Sequence, residues 1–273
     1  MVKLVKMKVL LLDAYNLIYR ARSGFMKGDF PIVYNFFRGL RPLVEKFNPD
    51  KVYFVLEGNP EFRTQLNTNY KANRSNNDRS FHEQKSQIIS MVKECLPIVR
   101  HPKLECDDTI ATLVKMHCSK GDDCTIISSD SDFYQLLNIF DNCEIYNPVR
   151  KKIIEKPDYD YVTWKALRGD ATDNISGIPG CGDKTATKLV KDPQLMSEYL
   201  QKEPNRQQIF ERNVNLIRLV DFSDSYDADA EIHEGHADWE QLADLLEQMG
   251  FDSMLKEKTW NKYTKTFINL TGE

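Results

Sequence analysis

No apolar run in this chain approaches the ~20 residues that a membrane-spanning helix requires, so no transmembrane helix is expected. The six cysteines, Cys95, Cys106, Cys118, Cys124, Cys143 and Cys181, contain no CxxC pair and no Cys/His spacing suited to zinc. Several sit among apolar residues, the setting of reduced, buried thiols. EF-hand loop spacing is also missing, which leaves a calcium-binding acidic protein without support. Internal repeats and low-complexity tracts do not occur. The opening MVKLVKMKVLLLDAY pairs lysines with an apolar patch, as a secretory signal does. The patch is short, Asp13 interrupts it, and no small-residue cleavage site follows. It reads as the first strand of an intracellular, cytoplasmic protein.

What is present is ordinary globular material. The 273 residues are 41% hydrophobic and 29% charged, enough for one large α/β domain or two small ones with a sizeable core. Three short apolar runs end in an acid: residues 7–12 before Asp13, 51–56 before Glu57, and 124–129 before Asp130. They are continuous rather than alternating, the pattern of strands buried on both faces. Weaker strand candidates lie at 97–101, 143–147 and 152–155. Amphipathic helices are expected at 33–47 and 107–118, the latter with Ile110, Leu113, Val114 and His117 on one stripe. Strands alternating with helices predict a mainly parallel sheet covered on both sides, with its working site beyond the carboxyl ends of the strands. Residues 59–95 read as a long polar insertion, mobile by itself, before an apolar helix around 88–95. Residues 206–220 read as a helix packing back on the body, and 221–238 as an acidic connector.

The acids stand where that architecture would gather them. Glu105, Asp107 and Asp108 open a helix, Asp130 and Asp132 flank a strand-to-helix turn, and Asp170 and Asp173 are spaced to share one side of a helical turn. Any one alone reads more simply as a helix cap or dipole partner. If they converge with Asp13 and Glu57, nine carboxylates crowd one pocket, and like charges so close call for hard divalent cations with oxygen ligands. Two such ions suit phosphodiester hydrolysis. The net charge of −4 argues against a nucleic-acid partner only until those nine acids are set aside, when the rest of the chain carries +5.

Basic and aromatic residues complete the pattern. Within 63–74, Arg63, Lys71 and Arg74 stand beside Tyr70 with no acid, which suits single-stranded nucleic acid. In GIPGCG, the glycines Gly177, Gly180 and Gly182 leave backbone N–H groups open to an anion while Pro179 fixes a turn. A helix then starts near Asp183, and Lys184 and Lys188 share one of its faces. This stretch predicts a sequence-independent grip on a duplex backbone, with an αα-hairpin turn bearing surface lysines as the simpler alternative.

The motifs LLDAYNLIYRA, FRTQLNTNYKANR, ECDD, SSDSDFYQLL, GDATDN and GIPGCGDKTA, in this order, resemble those of 5′ nucleases. That family includes bacteriophage 5′-3′ exonucleases and flap endonucleases, and the 5′ nuclease domain of bacterial DNA polymerase I. The resemblance runs from about residue 8 to 220. It implies a single PIN-like 5′ nuclease domain over 1–273, with a mostly parallel sheet, helices on both faces, a helical arch over about 60–95, a helix-hairpin-helix element over about 160–200 and a helical C-terminal part over about 205–273. By the same resemblance, Asp13, Glu57, Glu105 and Asp107, with Asp108 nearby, form one Mg²⁺ group, and Asp130, Asp132, Asp170 and Asp173 form the second; Mn²⁺ substitutes. Lys71 and Arg74 correspond to arch residues on the scissile phosphate, Tyr70 to a base-stacking aromatic and Arg63 to an accessory phosphate contact. K⁺ is implied at the 177–182 hairpin. The implied partner is DNA with a 5′ flap, nick or end, met by a monomer in the cytoplasm, the host's if the chain is phage-encoded. Glu57 departs from the family, which usually has Asp there, so altered metal affinity is expected. Two other readings stay open: a nuclease preferring RNA primers in RNA–DNA hybrids, and a branched-DNA binder with weak catalysis.

Overall fold

The computed structural model describes residues 6–24, 28–72, 78–220 and 229–270. Its centre is a seven-stranded sheet. In chain order the strands are β1 (Lys8–Asp13), β2 (Lys51–Leu56), β3 (Ile98–Arg100), β4 (Asp123–Ile127), β5 (Cys143–Asn147), β6 (Lys152–Ile153) and, after a further two-stranded ribbon of β7 (Gly169–Asp170) and β8 (Ile175–Ser176), β9 (Glu231–His233). The spatial order is β6-β5-β4-β1-β2-β3-β9. The five inner strands are parallel, and the edge strands β6 and β9 run antiparallel to their neighbours. All six strands expected from the sequence are present, as β1 to β6. The edge strand β9 was not expected at all, since 221–238 reads as a connector; residues 221–228 of that segment lie outside the described residues.

Alternate residues of each inner strand feed different cores, because strand side chains point to opposite faces. Leu10, Leu12, Val52, Phe54 and Leu56 face one side, where they meet α1 (Ala14–Arg22), α2 (Pro31–Phe47), α4 (Arg79–Val92) and the C-terminal helices α11 (Trp239–Gln248), α12 (Asp252–Leu255) and α13 (Glu257–Phe267). Val9, Leu11, Tyr53, Val55 and Ile126 face the other, against α5 (Cys106–Cys118) and α6 (Tyr134–Ile139). Burial on both faces explains the unbroken apolar runs, and each fully buried Leu, Ile or Phe contributes about 1.5–3 kcal/mol of transfer free energy.

The segment 59–95 differs from its reading as a polar insertion. It contains α3 (Glu61–Leu66) and then α4, which begins nine residues earlier than the helix expected at 88–95. Asp78 caps α4 by accepting the Phe81 N–H at 2.8 Å, and Phe81, Gln84, Ile88, Met91 and Val92 are buried. Gln84, a polar residue on the inner stripe, accepts the Ile32 N–H at 2.9 Å and so secures the start of α2. The polarity of the segment marks one helix face, not a lack of docking.

A satellite body carries α7 (Tyr161–Arg168), the β7–β8 ribbon, α8 (Asp183–Val190), α9 (Pro193–Gln201) and α10 (Pro204–Ile217). Helix α10 packs back as the sequence predicts. Its buried Asn213 donates to the carbonyls of Ala166 and Ser176, both at 2.9 Å, and Leu216 and Ile217 join Val162, Ala166 and Ile175.

Candidate active site

The strand order reverses between β1 and β4: β2 and β3 follow β1 on one side, and β5 follows β4 on the other. Open parallel sheets hold ligands in the crevice at such a switch point, beyond the carboxyl ends of the strands. Asp13 ends β1 there, and Ser128, Ser129 and Asp130 follow β4. Ser128 stitches the two strand ends together. Its hydroxyl donates to Asp13 Oδ2 at 2.7 Å and accepts the Asp130 N–H at 3.0 Å. Asn16 extends the seam, donating to Ser129 Oγ at 2.9 Å and accepting the Ser129 N–H at 3.1 Å. Asp13 also caps α1 through the Asn16 N–H at 3.1 Å.

Helix α5 brings the next acids in. It has Glu105 as its N-cap residue, yet Glu105 makes no side-chain cap bond. Glu57, at the end of β2, caps the helix instead, accepting the Cys106 N–H at 3.0 Å. Asp107 sits within electrostatic reach of Asp130, Asp13 and Glu57. Burial, reinforced by those charges, holds its carboxyl well above the usual range. Burial likewise pushes Asp13 up to about 6 and Glu57 to about 7, although Lys71 pulls Glu57 back.

The second group gathers beside it. One carboxylate oxygen from each of Asp132, Asp170 and Asp173 lies within 4.8 Å of the others. Asp170 and Asp173 do not share a helical turn, as their spacing predicts. Asp170 ends β7 and Asp173 lies in the turn to β8, with positive φ at Gly169 (84°) and Asn174 (58°) bending the backbone on either side. Burial pushes Asp132 up to about 6. Asp170 is held below the usual range: burial opposes its charge, but Lys165 and backbone N–H groups outweigh it.

Two ammonium groups sit on these acids. Lys71 Nζ is 2.5 Å from Glu105 Oε1 and 3.7 Å from Asp173 Oδ2. Lys165 Nζ bridges Asp132 and, at 2.6 Å, Asp170 Oδ2. Lys165 does not figure among the residues singled out from the sequence. Its signal was a lysine on the apolar stripe of α7 beside Val162 and Ala166. The all-oxygen donor set, the raised carboxyl groups and the cations already drawn among them fit hard divalent ions.

Four expectations need correction. Asp108 is not at the pocket: one step along a helix turns a side chain by about 100°, so it points away from Asp107. It takes the Arg63 guanidinium in a fork and also accepts the Val220 N–H at 2.9 Å. Arg63 is therefore no phosphate contact. It is 3% exposed, 2.9 Å from Glu105 Oε2, and donates to the Leu216 and Arg218 carbonyls at 2.9 and 3.1 Å. Tyr70 is no free stacking platform, because its ring is buried with Val162 and Leu216 and its hydroxyl donates to Glu105 at 3.0 Å. Gly177 is required for packing rather than for an open backbone, since a Cβ there would stand 2.0 Å from the Arg168 carbonyl oxygen.

The rest of the hairpin agrees better with its reading. The Cys181 N–H returns to the Ile178 carbonyl at 2.9 Å around Pro179 and Gly180 (φ 76°), the form of a type II turn. Gly182 opens α8, nothing crowds Gly180 or Gly182, and Lys184 and Lys188 are exposed. Arg74 lies outside the described residues. The base of the 60–95 segment is strapped to the acid-bearing turn. The Lys71 N–H donates to the Asp173 carbonyl at 3.1 Å, and Asn174 Nδ2 donates to the Asn69 carbonyl at 2.8 Å.

The family model and the curated relatives agree with each other. Residues 8–165 match the family model described as 5′-3′ exonuclease, N-terminal resolvase-like domain. The thermostable DNA polymerase I of Thermus aquaticus is 31% identical over 281 residues, covering 92% of this chain and 33% of that protein. DNA polymerase I of Treponema pallidum is 32% identical over 214 residues, covering 68% of this chain and 21% of that protein. The chain thus spans a third or less of the length of these polymerases. Among solved structures, a T5 5′-exonuclease with bound zinc superposes with a TM-score of 0.66 at 19% identity, covering 97% of this chain and all of that one. The catalytic core of Rad2 in complex with DNA substrate superposes with a TM-score of 0.55 at 15% identity, covering 97% of this chain and 92% of that one. At such identities these superpositions speak for the fold.

Proposed function

The chain belongs to the 5′-3′ exonuclease family, and on that premise we propose that it is a structure-specific 5′ nuclease. It hydrolyses phosphodiester bonds at or near the 5′ ends of branched or nicked DNA. One observation carries the reading: Asp13, Glu57, Asp107 and Asp130 meet at the switch point of the sheet, beside the converging oxygens of Asp132, Asp170 and Asp173. So many carboxylates in one buried cleft oppose one another unless divalent cations lie among them.

Mg²⁺, with Mn²⁺ as substitute, suits these donors. Asp13, Glu57, Glu105 and Asp107 would hold one ion, and Asp130, Asp132, Asp170 and Asp173 the other. When bound, such ions polarise the scissile phosphoryl group and neutralise charge on the leaving oxygen. The chain's own residues do the rest. Lys71, at the border of the two groups, supplies positive charge to the phosphoryl oxygens, with Arg74 as the second cation of the expected arch over 60–95. Gly180, Gly182, Lys184 and Lys188 grip the downstream duplex backbone, with K⁺ at the 177–182 hairpin, and so set the distance from a held phosphate to the acids. A 5′ single strand meets the 60–95 segment, and one monomer suffices.

The test is a panel of labelled flap, nick and gap substrates, with matched RNA and DNA flaps, incubated with Mg²⁺ or with EDTA. The expected result is 5′ product only with the ion. Tight binding of the flap with no product at any Mg²⁺ concentration would show a branched-DNA binding protein instead.

A further inference from the structure

Lys165 holds a position that the proposed chemistry does not require. It projects from α7, is 5% exposed, and places its ammonium between Asp132 and Asp170, two of the three acids whose oxygens converge. Its ammonium is in ion-pair contact with both carboxylates, at 2.6 Å from Asp170 Oδ2. The side chain has little room to leave. Helix α7 is pinned by the Asp160 cap on Thr163, by Trp164 Nε1 donating to Thr187 at 3.1 Å, and by Asn213 on the Ala166 carbonyl. Lys71 differs, since it sits at the base of the 60–95 segment with a left-handed backbone (φ 54°) and 15% of its side chain exposed.

We propose that Lys165 is a built-in counter-ion of the outer acid group, a positioning residue that sets how weakly a divalent cation binds there before nucleic acid arrives. This rests on the nuclease reading above. A fixed positive charge in contact with two of the ligands opposes an incoming dication, and it satisfies those ligands when none is present. The outer group then keeps its shape without metal. It becomes well occupied only when a phosphate adds negative charge beside it.

The measurement is Mn²⁺ binding without DNA, read as free aqueous Mn²⁺ by electron paramagnetic resonance, on the full chain and on Lys165→Met and Lys165→Arg. Methionine keeps the unbranched bulk and removes the charge; arginine keeps the charge. The expected result is a weak second ion in the wild type, bound at least tenfold more tightly in K165M and not more tightly in K165R. Thermal unfolding without metal should fall in K165M and be restored by Mn²⁺, which shows that the variant folds. Second-ion affinity in K165M equal to or weaker than wild type overturns the inference. If the wild type still cleaves flaps with Mg²⁺ in that case, the nuclease reading stands. Failure of the wild type to bind Mn²⁺ at all overturns both.

Discussion

Arg63 and Asp108, 45 residues apart in sequence, face each other as a buried fork, with a 2.8 Å bond from one guanidinium nitrogen to Oδ1 and a second, shorter bond to Oδ2. The same guanidinium reaches the carbonyls at the end of α10, so one side chain joins α3, α5 and α10.

Arg63→Ala should therefore destabilise the fold by about 3–5 kcal/mol, because it leaves a buried carboxylate without its partner. Denaturant unfolding measures this. The salt slope of DNA binding in whatever protein remains folded should be unchanged, whereas loss of a phosphate contact would lower the slope.

Asp13→Asn or Asp130→Asn should reduce cleavage by roughly 10²-fold or more, the scale of losing a group that stabilises transition-state charge. Flap binding should persist. Mg²⁺-dependent activity at wild-type levels in both variants would refute the assignment of these acids.

Glu57→Asp separates the two tasks of this carboxylate. Shortening it by one methylene withdraws the acceptor from the Cys106 N–H and should cost about 1 kcal/mol, as the loss of a helix cap does. Glu57→Gln keeps an acceptor and removes a buried charge, so it should stabilise the metal-free protein while raising the Mg²⁺ concentration that cleavage requires. Thermal unfolding in EDTA and a Mg²⁺ titration of cleavage distinguish the two.

The raised carboxyl groups fix the sign of a pH effect. Asp13 and Asp132 at about 6 and Glu57 at about 7 bind protons more tightly folded than unfolded. Stability without metal therefore falls as pH rises from about 4 through about 7, and the penalty is complete above that. The unfolding midpoint in EDTA should be higher at pH 6 than at pH 8, by about 2–4 °C for each kcal/mol recovered. Saturating Mg²⁺ should raise the pH 8 midpoint more than the pH 6 one.

Gly177 and Gly182 should behave differently. Alanine at 177 collides with backbone at Arg168 and should cost about 1–3 kcal/mol. Alanine at 182 meets nothing within 4 Å and should leave stability within about 1 kcal/mol. If the hairpin amides grip phosphate, Gly182→Ala should still weaken duplex binding in a fluorescence titration; undiminished affinity would remove Gly182 from the grip.

The sequence made the inner strands plain because β1, β2 and β4 are buried on both sides, and each run of apolar residues stops at an acid. Edge strand β9 leaves little trace in the sequence because Glu231–His233 is only three residues long and buries no face, with Ile232 itself exposed. The acids Asp107 and Asp108 look equivalent in sequence; only the helical rotation between them decides which meets the cleft and which meets Arg63. Basic residues were harder still. A lysine or arginine on a short helix looks like a solvated charge, and Arg63 and Lys165 owe their burial to acids that are distant in sequence. Tyr70 was legible as an aromatic near the site but not as one whose hydroxyl is already committed to Glu105.

The straps from Lys71 to Asp173 and from Asn174 to Asn69 tie the geometry of entry to the geometry of chemistry. Lifting residues 69–71 would break these two hydrogen bonds or draw the β7–β8 turn, and Asp173 with it, along.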